Sequence, residues 1–356
     1  MEWGKTSDED FKKAMPMTIR LQSHDIIRTW AFYTITKGLY NNGVIPWKNI
    51  MVSGFVLDSK GKKMSKSKGN TVDPVQLIDK FGADAVRYGA SSVKLGDDIP
   101  FQEKYLETGK KTIMKIFNAS KFVHMHLEDY DKSSFDYSKL GTIDKWIISE
   151  LQKVIAEATD YMDNYDFSKA RATVEKFFWQ VLCENYLEII KDVVYKPDVY
   201  GDDARLAGQM TLHYVLERVL RLFAPFLPYV TEEVYSWKFL AESDSDLDSI
   251  HNAPWPRIDE NFIDEESEKA GALAVKVISA VRGIKSREHV SQKHEVLSLG
   301  IPCLEEEKVL LEKVLDDIKR TVSVKEIEFL IGEESESMTD DVELKYELAP
   351  VEEKAD

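Results

Sequence analysis

Lys63, Met64, Ser65, Lys66 and Ser67 follow one another, with Gly61 before them and Gly69 after. Two ammonium groups and two hydroxyls on one glycine-bounded loop suit a polyphosphate better than a core. Lysine carries a compact charge on a flexible stem and can follow a phosphate as its geometry changes. Displacement at phosphorus needs positioning and charge stabilisation more than covalent help. Most lysine-rich turns are solvated surface, so the flanking residues decide between the two readings.

Those flanks are ordered. An apolar run from Asn49 to Leu57 reads as a strand leading into the loop. On the far side, Asp73 before Pro74 makes an N-cap with proline at the first helical position, and Gly82 is a stop. A second short helix is expected from Asp84, and His24 to Tyr40 reads as helical. Residues 1–102 therefore read as a mixed α/β region whose loop sits at a strand end.

From 103 to 258 the pattern changes to long amphipathic helices. Val174, Phe177, Phe178 and Val181 repeat at helical spacing, as do Leu212, Val215, Leu216, Val219, Leu220 and Phe223. Pro225 and Pro228 interrupt the last long helix. On the helix around residue 115, Lys111, Lys115 and Asn118 share one face while Ile113, Ile116, Phe117 and Phe122 can point inward. Such a basic stripe could track an RNA backbone or be a solvated face. The bundle is rich in aromatics (Tyr161, Tyr165, Phe167, Phe177, Phe178, Trp179, Tyr186), most of them at core spacing. The polar, proline-rich stretch 241–259 reads as a connection. Beyond it, helix (265–287), strand (296–301), helix (305–320) and strands (324–330, 342–348) make residues 259–356 a small α/β appendage.

Composition bounds the function class. Of 356 residues, 43% are hydrophobic and 31% charged, an ordinary globular mix. A net charge of −16 argues against indiscriminate nucleic-acid binding. From Glu333 to Asp356, however, ten carboxylates face two lysines, so much of the acidity is segregated in the tail. No run approaches a membrane span and no signal peptide is read, and two distant cysteines fit a reducing cytoplasm. The histidines form no ligand set with cysteine or paired carboxylates, so no metal site is expected.

The loop resembles the second signature of the class I aminoacyl-tRNA synthetases, in particular the valyl, isoleucyl and leucyl subclass. HDIIRTWAFYTI, GADAVRY, NASKFV, DKWIISEL, NYLEIIK, FAPFLPYVTEEVY and SIHNAPWP resemble that subclass in the same order. The segment from His24 to Trp30 is closest to archaeal-type valyl members; Ile26 and Thr29 depart from the isoleucyl pattern, which leaves an isoleucyl or leucyl identity as the alternative. The resemblance implies the second half of a Rossmann-like catalytic fold, an anticodon-binding helical bundle and a terminal appendage. It implies that Lys66, assisted by Lys63, stabilises departing pyrophosphate, with Met64, Ser65, Lys66 and Asp25 around ATP and Trp30 walling the amino-acid pocket. ATP with Mg2+, valine and valine tRNA are the implied substrates. Ser23 stands where many members have glycine, two residues before the aspartate, and a side chain there could crowd a nucleotide.

No His-x-Gly-His, the first signature of the class, occurs in the chain, and no long editing insert is present. The expectation is therefore a C-terminal piece of a valine–tRNA ligase whose N-terminal half is a missing partner, inactive alone. A tRNA-binding module without catalysis is the alternative from another functional class.

Overall fold

The computed structural model describes residues 8–242, 248–331, 337–339 and 342–350. Half of the residues from Glu333 to Asp356, and eight of the ten carboxylates there, lie outside the described residues, as do residues 243–247 of the 241–259 connection. The chain forms two compact units, residues 1–112 with 165–169, and residues 113–164 with 170–356.

In the first unit, α1 (Asp8–Ala14) precedes β1 (Met17–Ser23). A single-turn 3-10 segment at His24–Ile26 and a π-helical stretch at Ile27–Ala31 then run into α2 (Phe32–Asn42). The expected helix is there, but with mixed winding at its start. β2 (Trp47–Ser53) pairs with β1 in parallel, with Ile19 opposite Asn49 and Leu21 opposite Met51. The expected strand from Asn49 to Leu57 does not run through: it breaks at Gly54 and resumes as β3 (Val56–Leu57), which pairs in parallel with β4 (Ile99–Pro100). The cause is a close backbone approach. A Cβ at Gly54 would lie 2.0 Å from the Asp97 carbonyl oxygen, and the Phe55 amide donates to Asp98 Oδ1 at 2.7 Å. Only glycine lets the chain leave one sheet there and join the other. After the lysine loop, α3 (Pro74–Phe81) is capped by Asp73, whose side chain accepts from the Val75 amide. It ends at Gly82, and α4 (Ala83–Ser91) follows. α5 (Glu103–His126) begins in this unit and ends in the second.

The second unit is built on helices α6 (Thr142–Asp163), α7 (Phe167–Lys176, from Ala170 on), α8 (Leu187–Tyr195), α9 (Pro197–Tyr200), α10 (Asp202–Phe223) and α11 (Pro228–Ser236). Between α7 and α8 the winding is π-helical over Phe177–Tyr186. Pro225 and Pro228 act as expected: α10 stops at Phe223 and α11 opens with Pro228 at its first turn. Phe177, Phe178 and Tyr186 are buried, and Phe178 meets Phe223 edge-on with centroids 5.6 Å apart. Inside this core the Tyr186 hydroxyl donates to Asp144 Oδ1 at 2.5 Å. Burial pushes the Asp144 carboxyl up to about 6 despite that bond.

α12 (Glu265–Arg287) packs on α6 and leads into a sheet in the order β6-β5-β7: β5 (Val296–Pro302), β6 (Val324–Leu330) and β7 (Lys345–Leu348). β5 and β6 are parallel and β5 and β7 antiparallel. The helix expected over 305–320 is two, α13 (Glu305–Glu312) and α14 (Leu315–Val322). Val314 leaves helical geometry between them (φ −122°, ψ 14°), and this break accompanies burial of Leu311, Val314 and Ile318 together. The last strand starts at Lys345, three residues after the position the sequence pattern indicates.

Candidate functional site: a stapled cationic loop

The loop after β3 is held by its own polar side chains. Asp58 Oδ1 accepts from the Lys60 and Lys62 amides at 2.9 and 2.8 Å, closing the first turn. Asn70 Nδ2 donates to Asp58 Oδ2 at 2.8 Å, while Asn70 Oδ1 accepts from the Ser65 amide at 2.9 Å. Asp58 and Asn70 thus staple the two ends of the loop. The Asn70 bond first, then the Lys62 amide, hold the Asp58 carboxyl below its usual range. Lys66–Lys68 form one 3-10 turn, closed by Gly69 in the left-handed region (φ 65°). The Ser65 and Ser67 hydroxyl oxygens are 3.2 Å apart, and Met64 is half-buried.

The two signature lysines differ. Lys63 Nζ is 2.7 Å from Asp25 Oδ2 and 3.9 Å from the centroid of the Phe55 ring. Lys66 is exposed and makes no ion pair among the described residues. An unpaired, exposed ammonium on a stapled turn is free to meet an incoming phosphate.

Asp25 lies beside this loop. Ser23, the residue standing where glycine is common, donates to Asp25 Oδ1 at 2.8 Å. Its hydroxyl therefore fixes the carboxylate that Lys63 pairs with. Lys63 chiefly, and Ser23 next, keep the Asp25 carboxyl below its usual range. His24 meets Phe55 edge-on at 5.5 Å. Trp30 is 58% exposed in this chain, and the Arg20 guanidinium stands 5.8 Å from its ring centroid.

The α5 stripe divides. Lys111 and Asn118 are exposed, whereas Lys115 is half-buried with its ammonium 5.5 Å from the centre of the Trp179 ring. His126, His213 and His294 are absorbed by structure: His126 packs on Phe122 and Tyr195, His213 Nε2 meets Glu242 at 2.6 Å, and His294 Nε2 meets the Ala349 carbonyl at 2.8 Å. Among the described residues no group of three or more His, Cys, Asp or Glu could hold a metal ion, and no helix is long and apolar enough to cross a membrane.

Comparison with known proteins assigns this geometry to a family. Residues 1–102 match the family model described as tRNA synthetases class I (I, L, M and V), and residues 144–300 match the anticodon-binding domain of tRNA ligase. Valine–tRNA ligase of Wolbachia sp. subsp. Brugia malayi is 41% identical over 323 residues, 90% of this chain and 37% of that protein. The chain belongs to the class I tRNA synthetases, in the valine–tRNA ligase branch. Valine–tRNA ligases of Ehrlichia canis (42% identical, 81% of this chain and 35% of theirs) and Anaplasma marginale (38%, 96% and 40%) agree. A leucyl-tRNA synthetase of Agrobacterium radiobacter, solved in a ternary complex with tRNA and LeuAMS, shares the fold. Its TM-score is 0.53 at 18% identity, covering 89% of this chain and 38% of that one. The chain thus spans a little over a third of the length of the curated relatives it matches.

Against this synthetase family, the residues that sequence reasoning passed over are Asp58, Asn70 and Phe55. Asp58 had a visible signal, an aspartate three residues before Gly61, a common turn pairing. Asn70 follows the glycine that closes the loop, but nothing in sequence ties it to a carboxylate twelve residues earlier. Phe55 resembles any strand aromatic until Lys63 is placed over its ring.

Proposed function

We propose that the chain supplies the phosphate loop and the tRNA-binding bundle of an ATP-dependent valine–tRNA ligase. In this reading valine's carboxylate attacks the α-phosphate of ATP, delivered with Mg2+ as substrate. Pyrophosphate leaves towards Lys66, and the terminal ribose of valine tRNA then takes the acyl group from the adenylate. Lys63 assists from its seat beside Asp25, Met64 and Ser65 border the nucleotide, Asp25 serves the ribose and Trp30 walls the valine pocket. Residues 1–102 form the nucleotide-binding part, 103–258 the anticodon bundle and 259–356 the appendage. Lys111, Lys115 and Asn118 face the tRNA, and the location is cytoplasmic.

The single observation that carries the reading is the stapled loop with Lys66 unpaired. The Asp58–Asn70 clamp holds the turn in place, and a transferring phosphoryl group needs a pre-positioned cation. Homology to valine–tRNA ligases supports the choice of amino acid. Catalysis in this reading also needs the part of the relatives' length that this chain does not span.

Valine-dependent exchange of labelled pyrophosphate into ATP tests it. We expect none from this chain alone, and exchange once the remaining portion of a valine–tRNA ligase is supplied. Exchange with isoleucine or leucine in valine's place would overturn the amino-acid assignment.

A further inference from the structure

Ser23 is the last residue of β1, where it pairs across the parallel sheet with Ser53 of β2. Its backbone is extended (φ −122°, ψ 158°), a conformation open to any residue, so the turn that follows does not require glycine there. What a side chain adds is a hydroxyl. Ser23 Oγ donates to Asp25 Oδ1 at 2.8 Å, while Lys63 Nζ donates to Asp25 Oδ2 at 2.7 Å. Each carboxylate oxygen therefore has its own donor, one from the adjoining strand end and one from 38 residues on. A carboxylate offers about four acceptor sites, so capacity remains for a ligand's hydroxyls.

The Lys63 end of this clasp is anchored in turn. Its ammonium lies 3.9 Å from the centroid of the Phe55 ring, its backbone bridges Leu57 in the antiparallel sense, and its carbonyl accepts from Asn70 Nδ2 at 3.4 Å. Phe55 meets His24 edge-on at 5.5 Å, which closes the ring of contacts back onto the turn carrying Asp25. The Lys63 and Asp25 side chains are each 49% exposed, and an exposed ion pair alone orients its members weakly, because solvent screens it and both side chains lose entropy. The Ser23 hydroxyl costs less to order, since it sits on a paired strand and turns about a single bond. Both donors act on the carboxylate: Lys63 first, and Ser23 next, hold it below its usual range.

We propose that Ser23 is a positioning residue for ATP: its hydroxyl holds Asp25 in the orientation that accepts a ribose hydroxyl, where glycine would leave that carboxylate to Lys63 alone. The inference rests on the reading of Asp25 as the carboxylate that serves the ribose. It reverses the expectation from sequence that a side chain at position 23 crowds the nucleotide, because the hydroxyl is spent on Asp25. The ribose is remote from the reacting phosphorus, so its contact is equally strong before and during the chemical step. Losing it therefore raises KM for ATP and leaves kcat in place.

The test is valine-dependent pyrophosphate exchange at varied ATP, by the chain supplied with the remaining portion of a valine–tRNA ligase, for Ser23→Gly, Ser23→Ala and Ser23→Thr. We expect Ser23→Gly and Ser23→Ala to raise KM for ATP roughly three- to tenfold, with kcat within about twofold of wild type. Ser23→Thr keeps the hydroxyl and should stay within about twofold in both. Crowding requires the opposite sign, with KM falling in Ser23→Gly and rising in Ser23→Thr, and that result would overturn the proposal. So would a fall in kcat at unchanged KM. A second measurement needs no activity. In this chain alone, with carboxyl-labelled aspartate and Asp25→Asn to assign the signal, Ser23→Ala should move the Asp25 titration upwards and Ser23→Thr should not. No movement in Ser23→Ala would overturn the clasp. Wild-type exchange that Ser23→Ala leaves untouched would remove the role of Ser23 and keep the ligase reading. A titration shift with no exchange by the reconstituted wild type would remove the ligase reading, and the role in ATP binding with it.

Discussion

The two units of this chain solve opposite problems. In the first, the buried apolar side chains among the described residues are Ala31, Trp47, Ala85, Tyr88 and Leu106, while Leu21, Trp30, Phe32, Tyr33 and Tyr40 are all more than half exposed in this chain. Its order around the lysine loop comes from hydrogen bonds: Asp58 to two amides, Asn70 to Asp58, Ser23 and Lys63 to Asp25. In the second unit the helices enclose Ile147, Leu151, Phe178, Phe223 and Val277 almost completely. Apolar burial fixes a shape, but it does not by itself position a polar group. A loop held by polar staples keeps its charges at the surface, which is what chemistry on a phosphate demands.

That contrast can be broken at several strengths. The largest effect is expected in the bundle: Phe178→Ala removes a fully buried ring and should cost about 3–5 kcal/mol, whereas Phe32→Ala, on a ring 58% exposed, should stay within about 0.5 kcal/mol. Denaturant midpoints of the two variants check this, and similar losses would erase the distinction. Lys66→Ala should do the reverse, leaving the midpoint unchanged. In a complete enzyme it should raise the adenylation barrier by about 2–4 kcal/mol, read by pyrophosphate exchange. A rate within about threefold of wild type would remove Lys66 from the chemistry.

Asp144 gives a pH test of the core. Its folded-state value of about 6 lies above the ordinary 3.8, so the folded state holds this proton more tightly than the unfolded state. Its contribution is therefore favourable at low pH and is lost as pH rises from about 4 to 6. Asp144→Asn keeps an acceptor for Tyr186 and cannot ionise. Relative to wild type it should gain about 1–3 kcal/mol between pH 4 and pH 7, seen in paired melts. No change in the difference would show that the carboxyl is solvated.

Smaller effects belong to the loop. Asn70→Ala should loosen the staple by about 0.5–1.5 kcal/mol, read as faster hydrogen exchange at the Ser65 amide with the global midpoint unmoved. Smallest of all, Asp25→Asn removes an exposed pair whose members are each 49% exposed, and should leave the denaturation midpoint unmoved. Accelerated tryptic cleavage after Lys63 in that variant would show that the pair restrains the loop locally.

Much of this was legible in the chain because it is local. The Asp73 cap, Pro74, the Pro225 and Pro228 interruption and the helical spacing around Leu212 act over a turn or two, and the elements formed accordingly. The lysine signature was legible for the same reason, since its residues are contiguous. Whatever depended on a distant partner was not. The strand break at Gly54 comes from Asp97, more than forty residues on, and the split at Val314 accompanies the burial of three side chains together. Lys63 and Lys66 are equivalent as letters, and only the fold sets one against Asp25 and Phe55 and leaves the other free. Likewise Lys115 shared a helical face with Lys111 and Asn118 until tertiary packing carried it to Trp179 and a cleft lined by Arg282 and Lys293. Sequence by itself determined roughly where helices and strands lie and which family the chain resembles, because propensity, capping and motif are short-range. Tertiary structure alone decided which charges are paired, buried or left free, because that depends on groups the chain brings together only when it folds.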